Sequence, residues 1–219
     1  MQRRDFSLSA LGALGTLSVV ATLPTSAQAQ AKKFEEGADY IALDKPIPVE
    51  VPAGKVEVIE FFWYSCPHCN AFEPQLEVWL KRLPPDVSFR RVPVAFRDSF
   101  MPQQRLYYAL EAMGKAEAMQ RKVFNAIHLE KQALDTQETI VPWVAKQGID
   151  QAKFLELYNS FTVSTKARKG TQLQNTFKID GVPSLGIAGR FYTDATLAKT
   201  MDRALQVTDF LIIEARRLK

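Results

Sequence analysis

The 219-residue chain has only two cysteines, and both stand in one tetrapeptide, Cys66-Pro67-His68-Cys69. Thiols three residues apart share one face of a helix and are close enough to close a small disulfide. Residues 56–63 ahead of them, Val-Glu-Val-Ile-Glu-Phe-Phe-Trp, are rich in β-branched and aromatic side chains and read as a central strand. Pro67 suits the first position of a helix, where its missing N–H is not needed. Cys66 therefore falls at a strand-to-helix junction. Unpaired backbone N–H groups and the positive end of the helix dipole favour its thiolate there and lower its pKa. Cys66 is the candidate nucleophile of the dithiol, and in the disulfide it is the sulfur that is attacked. Cys69 is expected to lie deeper, with a more ordinary thiol. Pro67 holds the turn, and His68 places further positive character beside Cys66. A disulfide whose reduced form is stabilised in this way is a strong oxidant.

Three other readings of the pair are weaker. A structural disulfide closing so short a loop constrains the unfolded chain little. A zinc site needs four ligands, and the set on offer is Cys66, Cys69, His68 and the distant His128, which reads as an ordinary helix histidine. No metal site and no cofactor are expected. An inert buried pair does not suit the carboxyl end of a strand, where α/β sheets expose their functional groups.

The elements that must position the tetrapeptide follow from pattern and punctuation. A helix over residues 67–83 is stopped by Pro84 and Pro85 and kinked at Pro74. Residues 87–96 read as a second core strand, which gives a parallel βαβ unit. From residue 102 to 177 the apolar residues recur at spacings of three and four, as in Leu106, Ala109, Leu110 and Met113, which fits four or five helices. Residues 179–188 return to strand character, Gly189 and Arg190 turn the chain, Phe191 and Tyr192 begin a return strand, and residues 196–218 read as one amphipathic helix. The order is that of an α/β domain interrupted by a helical insertion.

Composition excludes collagen, low complexity and disorder: 47% of residues are hydrophobic and 24% charged. The formal charge of +4 comes from interleaved signs. The short basic runs at Lys166, Arg168, Lys169 and at Arg216, Arg217, Lys219 read as solvated helix faces, so no nucleic-acid partner is expected. The first 29 residues read as a cleaved secretory signal. Arg3 and Arg4 precede an apolar stretch too short to span a bilayer, and Ala27-Gln28-Ala29 has the small-x-small form of a cleavage site. The twin arginines also suit the twin-arginine route, and the route stays open. Export would place the chain in an oxidising compartment.

The segment from Glu60 to Glu73, Glu-Phe-Phe-Trp-Tyr-Ser-Cys-Pro-His-Cys-Asn-Ala-Phe-Glu, resembles the active-site segment of the DsbA family of periplasmic thiol:disulfide oxidoreductases. Gly181-Val182-Pro183 resembles that family's cis-proline loop, and Tyr158-Asn159-Ser160-Phe161 has a counterpart at the end of an insertion helix. The resemblance implies a thioredoxin-like fold with an inserted helical domain. It divides the chain into a signal peptide (1–29), a first thioredoxin-like part (30–100), the insertion (101–177) and a second thioredoxin-like part (178–219). It implies catalytic roles for Cys66, Cys69, His68 and Pro67, and packing of Val182 and a cis Pro183 against the disulfide, with the Val182 backbone left free for an extended substrate. It also implies that Glu60 is a buried acid assisting proton movement at the inner cysteine. The family's partner lysine has no clear equivalent, and Arg90 and Arg91 are the candidates in its place. The implied activity is insertion of disulfides into exported folding proteins by a periplasmic monomer, with reoxidation by a quinone-linked membrane protein of the DsbB type. The alternatives are a disulfide isomerase or reductase, and a thioredoxin-fold binding or chaperone module.

Overall fold

The computed structural model describes residues 34–218. The expected signal sequence and its cleavage site lie outside the described residues.

Five strands form one mixed sheet in the order β1-β5-β4-β2-β3, with β1 at Ile41–Ala42, β2 at Val56–Phe62, β3 at Val87–Pro93, β4 at Ser184–Ile187 and β5 at Phe191–Asp194. β2 and β3 run parallel, and the pairs β2/β4, β4/β5 and β5/β1 are antiparallel. All seven residues of β2 are buried, because helices and loops cover both faces of this central strand. Its side chains alternate between two cores. Val56 and Val58 pack with Leu76 and Trp79 of α1 (Pro67–Leu80) and with Leu211 of α8 (Met201–Arg217). Ile59 and Phe61 face Val92, Phe100 and Phe177 on the other side. Gly186 of β4 is required there, since a Cβ would lie 2.8 Å from the Phe177 ring.

The crossover between β3 and β4 carries five helices: α2 (Met101–Ala112), α3 (Ala116–His128), α4 (Gln137–Lys146), α5 (Gln151–Tyr158) and α6 (Phe161–Thr176). They build a third core from Leu106, Leu110, Val123, Phe124, Val144 and Phe154, and this core also takes in Phe62, Tyr64, Cys66 and Cys69. The insertion thus packs directly against the turn that carries the thiols.

Several expected boundaries move for local reasons. Strand β3 ends at Pro93 instead of residue 96 because the Ala95 N–H is drawn to the side chain of Gln174, at 3.0 Å. The strand expected from residue 179 begins only at Ser184, since the chain ahead of it turns through the cis Val182–Pro183 bond. The single helix expected over 196–218 is two. Asp194 caps α7 (Ala195–Ala198), Lys199 leaves it with φ +72°, and Thr200 caps α8 by accepting from the Arg203 N–H at 3.1 Å. Helix α1 ends at Leu80, three residues early, and Pro74 lies inside it.

Candidate active site

Cys66 is the N-cap residue of α1, in extended conformation and with no side-chain capping bond. Its sulfur still lies close enough to the N–H groups of His68 and Cys69, in the first turn, to feel them. Its thiol is lowered to about 6, first by a hydrogen bond from the Cys69 thiol and then by the N–H groups of Cys69 and His68 and the nearby His68 ring, against the opposing effect of burial. Cys69 is completely buried, and its thiol is pushed well above the ordinary range by that burial and by Cys66 beside it. It lies deeper, as expected, but is far from ordinary: the two thiols are driven in opposite directions. His68 and Pro67 are both exposed beside the pair.

The Val182–Pro183 bond is cis, and the carbonyl of Val182 accepts a hydrogen bond from the Cys66 thiol at 3.4 Å. The cis-proline loop expected from the sequence therefore lies against Cys66. In this dithiol form the Val182 carbonyl is taken up by the Cys66 thiol. A cavity of about 820 Å³ opens alongside, lined by His68, Phe72, Gln75, Val182, Pro183 and Met201. None of the aromatic residues Phe62, Trp63 and Tyr64 ahead of Cys66 lines this cavity. Phe62 and Tyr64 are fully buried, and Trp63 stacks on Phe100 with ring centroids 3.9 Å apart.

Glu60 is completely buried in β2, directly across the parallel pair from Arg91. Arg91 Nε donates to Glu60 Oε2 at 2.9 Å, and the same guanidinium reaches Glu73 of α1 at 3.3 Å and the exposed carboxylate of Glu117 at 3.1 Å. Of the two basic candidates for the partner of Glu60, Arg91 fills the position, while Arg90 pairs with Glu57 at 2.9 Å. One guanidinium cannot balance two buried carboxylates, so the cluster retains a proton. Burial pushes Glu60 up to about 8, with Arg91 opposing and Glu73 adding to the rise. Burial likewise raises Glu73. Burial works against the charge of Arg91, but the carboxylates around it hold it protonated. The second oxygen of Glu60 has no hydrogen-bond partner among the described residues.

The sequence reading missed four residues here. Glu73 was visible as a carboxylate between Phe72 and Leu76 on the apolar face of α1. Gln103, Gln120 and His128 gave no signal, because each acts across a long sequence separation. Gln103 accepts from the Ser65 N–H at 3.1 Å and donates to the Ser65 hydroxyl at 2.6 Å. Gln120 joins the Tyr64 hydroxyl, at 3.0 Å, to Glu73, at 3.1 Å. His128, read from sequence as an ordinary histidine, places Nε2 2.8 Å from the Tyr64 carbonyl oxygen.

A thioredoxin-like sheet, a helical crossover, and a dithiol at a helix start facing a cis-proline define a thiol:disulfide oxidoreductase of the disulfide-forming kind. Comparison with known proteins gives the family. The chain matches the DSBA-like thioredoxin domain family over residues 57–206, and it belongs to that family. It is 42% identical over 193 residues to the thiol:disulfide interchange protein DsbA of Burkholderia cepacia, covering 88% of this chain and 91% of that one. It is 39% identical over 219 residues to the Bordetella pertussis protein of the same name, covering 99% and 100%. The crystal structure of Pseudomonas aeruginosa DsbA superimposes with a TM-score of 0.81 at 37% identity, covering 86% of this chain and 97% of that one.

Proposed function

We propose that this oxidoreductase inserts disulfides into exported folding proteins through Cys66 and Cys69, and that the opposed thiol acidities carry the reaction. In the disulfide form a substrate thiolate attacks Cys66 Sγ. The new bond is a substrate–Cys66 mixed disulfide, and Cys69 leaves with the electron pair of the old one. Because burial makes a Cys69 thiolate unfavourable, Cys69 takes up a proton. The cluster around Glu60 holds one nearby, and Cys69 feels the Glu60 charge. A second substrate thiolate then attacks the substrate sulfur of the mixed disulfide. Cys66 leaves as the more stable thiolate, and the substrate departs with its disulfide formed.

Pro67 and His68 act on the leaving group, Pro67 by starting the helix at Cys66 and His68 through its N–H and ring. Val182 and Pro183 receive the substrate. In the disulfide form Cys66 carries no thiol proton, so the Val182 carbonyl that accepts it in the dithiol form is open to the N–H of an extended chain, in the manner of strand addition. The cavity beside Pro183 accommodates the residues that follow.

Activity in the periplasm is supported by the signal-like first 29 residues and by the need for an oxidising compartment. No helix among the described residues is long and apolar enough to cross a membrane. Turnover needs an electron acceptor for the dithiol, and a quinone-linked membrane protein of the DsbB type fills that role. A reduced protein whose native form holds several disulfides, given catalytic amounts of the oxidised enzyme and glutathione disulfide, should regain activity faster than with glutathione disulfide alone. Equal rates would exclude the oxidase reading.

A further inference from the structure

The turn leading into Cys66 is held from one side by side chains of three residues, and all three come from the helical insertion. Gln103 is on α2, while Gln120 and His128 are on α3. Gln103 is 2% exposed and uses both ends of its carboxamide on a single residue, taking the Ser65 N–H and giving to the Ser65 hydroxyl. The Tyr64 carbonyl oxygen can only accept, so His128 Nε2 carries the proton and donates to it. Gln120 fixes the Tyr64 ring by accepting from its hydroxyl. Four hydrogen bonds thus fall on two successive residues, Tyr64 and Ser65, immediately before Cys66. The turn itself adds only a bond from the Cys66 N–H to the Trp63 carbonyl at 3.0 Å. Cys66 has no side-chain cap bond that would hold it in its N-cap conformation.

We propose that Gln103 and His128, supported by Gln120, are positioning residues through which the helical insertion holds Tyr64 and Ser65, and thereby keeps the Cys66 sulfur over the first N–H groups of α1. This inference rests on the reading of Cys66 as the reactive thiol. A helix start stabilises a thiolate only while the sulfur stays within hydrogen-bond reach of its N–H groups, and that stabilisation falls off within the first turn. A turn released from the insertion samples other geometries, and the thiolate loses part of its stabilisation. The insertion is then part of what makes Cys66 a good leaving group, in addition to covering the sheet.

The test uses the full mature chain. Gln103→Met keeps the shape of the side chain and removes both bonds to Ser65. His128→Phe keeps a planar ring beside Phe124 and removes the donor. His128→Gln restores an N–H at a similar reach. Each is read by the rate of Cys66 alkylation with iodoacetamide as a function of pH, by equilibration with glutathione buffers, and by thermal melting. Gln103→Met and His128→Phe should raise the alkylation midpoint by about half a pH unit, slow alkylation near pH 6 by about two- to threefold, and make the protein a weaker oxidant. His128→Gln should return towards wild type, although a purely structural role would not produce rescue in the thiol readout. If Gln103→Met fails to fold, the His128 pair and Ser65→Ala, which removes the hydroxyl bond to Gln103, carry the same test. Folded variants with unchanged or lowered midpoints, or His128→Gln behaving as His128→Phe, would overturn the positioning role alone. A wild-type midpoint at the free-thiol value would instead remove the reading of Cys66 on which it rests.

Discussion

The two flanks of the active-site turn are built differently. On the insertion side, Tyr64 and Ser65 are bonded to Gln103, Gln120 and His128, and behind them Arg91 joins the buried Glu60 and Glu73 to the exposed Glu117. On the cis-proline side, one thiol-to-carbonyl contact at 3.4 Å joins Cys66 to Val182, and a cavity of about 820 Å³ opens beyond it. The closed flank fixes the thiols and holds protons. The open flank leaves a backbone edge and an apolar hollow for a chain in transit. An enzyme that must bind a substrate chain and then release it gains from this division, since rigidity is confined to the atoms that react.

The contrast can be broken first at the thiols. Cys69→Ser removes the resolving sulfur, so oxidation of a reduced substrate should fall to the uncatalysed rate; catalytic turnover by this variant would contradict the dithiol mechanism. On the closed flank, Arg91→Met leaves Glu60 and Glu73 buried without a cation, at an expected cost of about 3 to 5 kcal/mol in urea unfolding. A loss below about 1 kcal/mol would show that the cluster is not charged as described. On the open flank, Pro183→Thr should slow substrate release, so that mixed disulfides through Cys66 accumulate on non-reducing gels. Normal turnover by that variant would remove Pro183 from the substrate path.

A smaller effect is the pH dependence of the dithiol form. Cys66 has a folded pKa of about 6, below its unfolded value of about 8.5. Between these values the folded dithiol binds fewer protons than the unfolded chain, so its stability rises with pH. The contribution is fully present above about pH 8.5 and is lost as pH falls through 6. Glu60 acts in the opposite sense: its folded value near 8 makes stability decline as pH climbs from the carboxylate range. Urea midpoints of the dithiol measured against the disulfide form, which has no thiol to titrate, isolate the Cys66 part. That difference should widen from pH 6 to 8, and a flat difference would count against an acidic Cys66. The smallest effect is at a helix cap on the wall of the cavity beside Pro183. Thr200→Ala removes the cap of α8 and should cost about 1 kcal/mol without altering thiol reactivity.

What was legible in the sequence follows a physical division. The Cys66-Pro67-His68-Cys69 turn and the parallel βαβ unit are written in local residue types, because helix starts and strand composition act over a few positions, whereas the cis Val182–Pro183 bond was reached through the family resemblance of its loop. The break between α7 and α8 was also written locally, in Asp194 and Thr200, but the amphipathic period across them masks it. The choice of Arg91 over Arg90 depends on strand register, which places Arg91 opposite Glu60 and Arg90 opposite Ile59. Adjacent residues of one strand point to opposite faces, so a sequence that names both arginines cannot choose between them. Gln103, Gln120 and His128 were illegible for a further reason. Their partners lie 38, 56 and 64 residues away, and polar residues on amphipathic helices ordinarily face water.

The central claim is that one fold drives two neighbouring thiols apart in acidity, and thiolate absorbance followed against pH in the reduced protein tests it most directly. The expected curve has one thiolate appearing with a midpoint near 6, from Cys66, and no second thiolate until well above the ordinary cysteine range, from Cys69. The Cys69→Ser variant assigns the first step to Cys66. Two thiolates appearing together near the free-thiol value of about 8.5 would contradict the account.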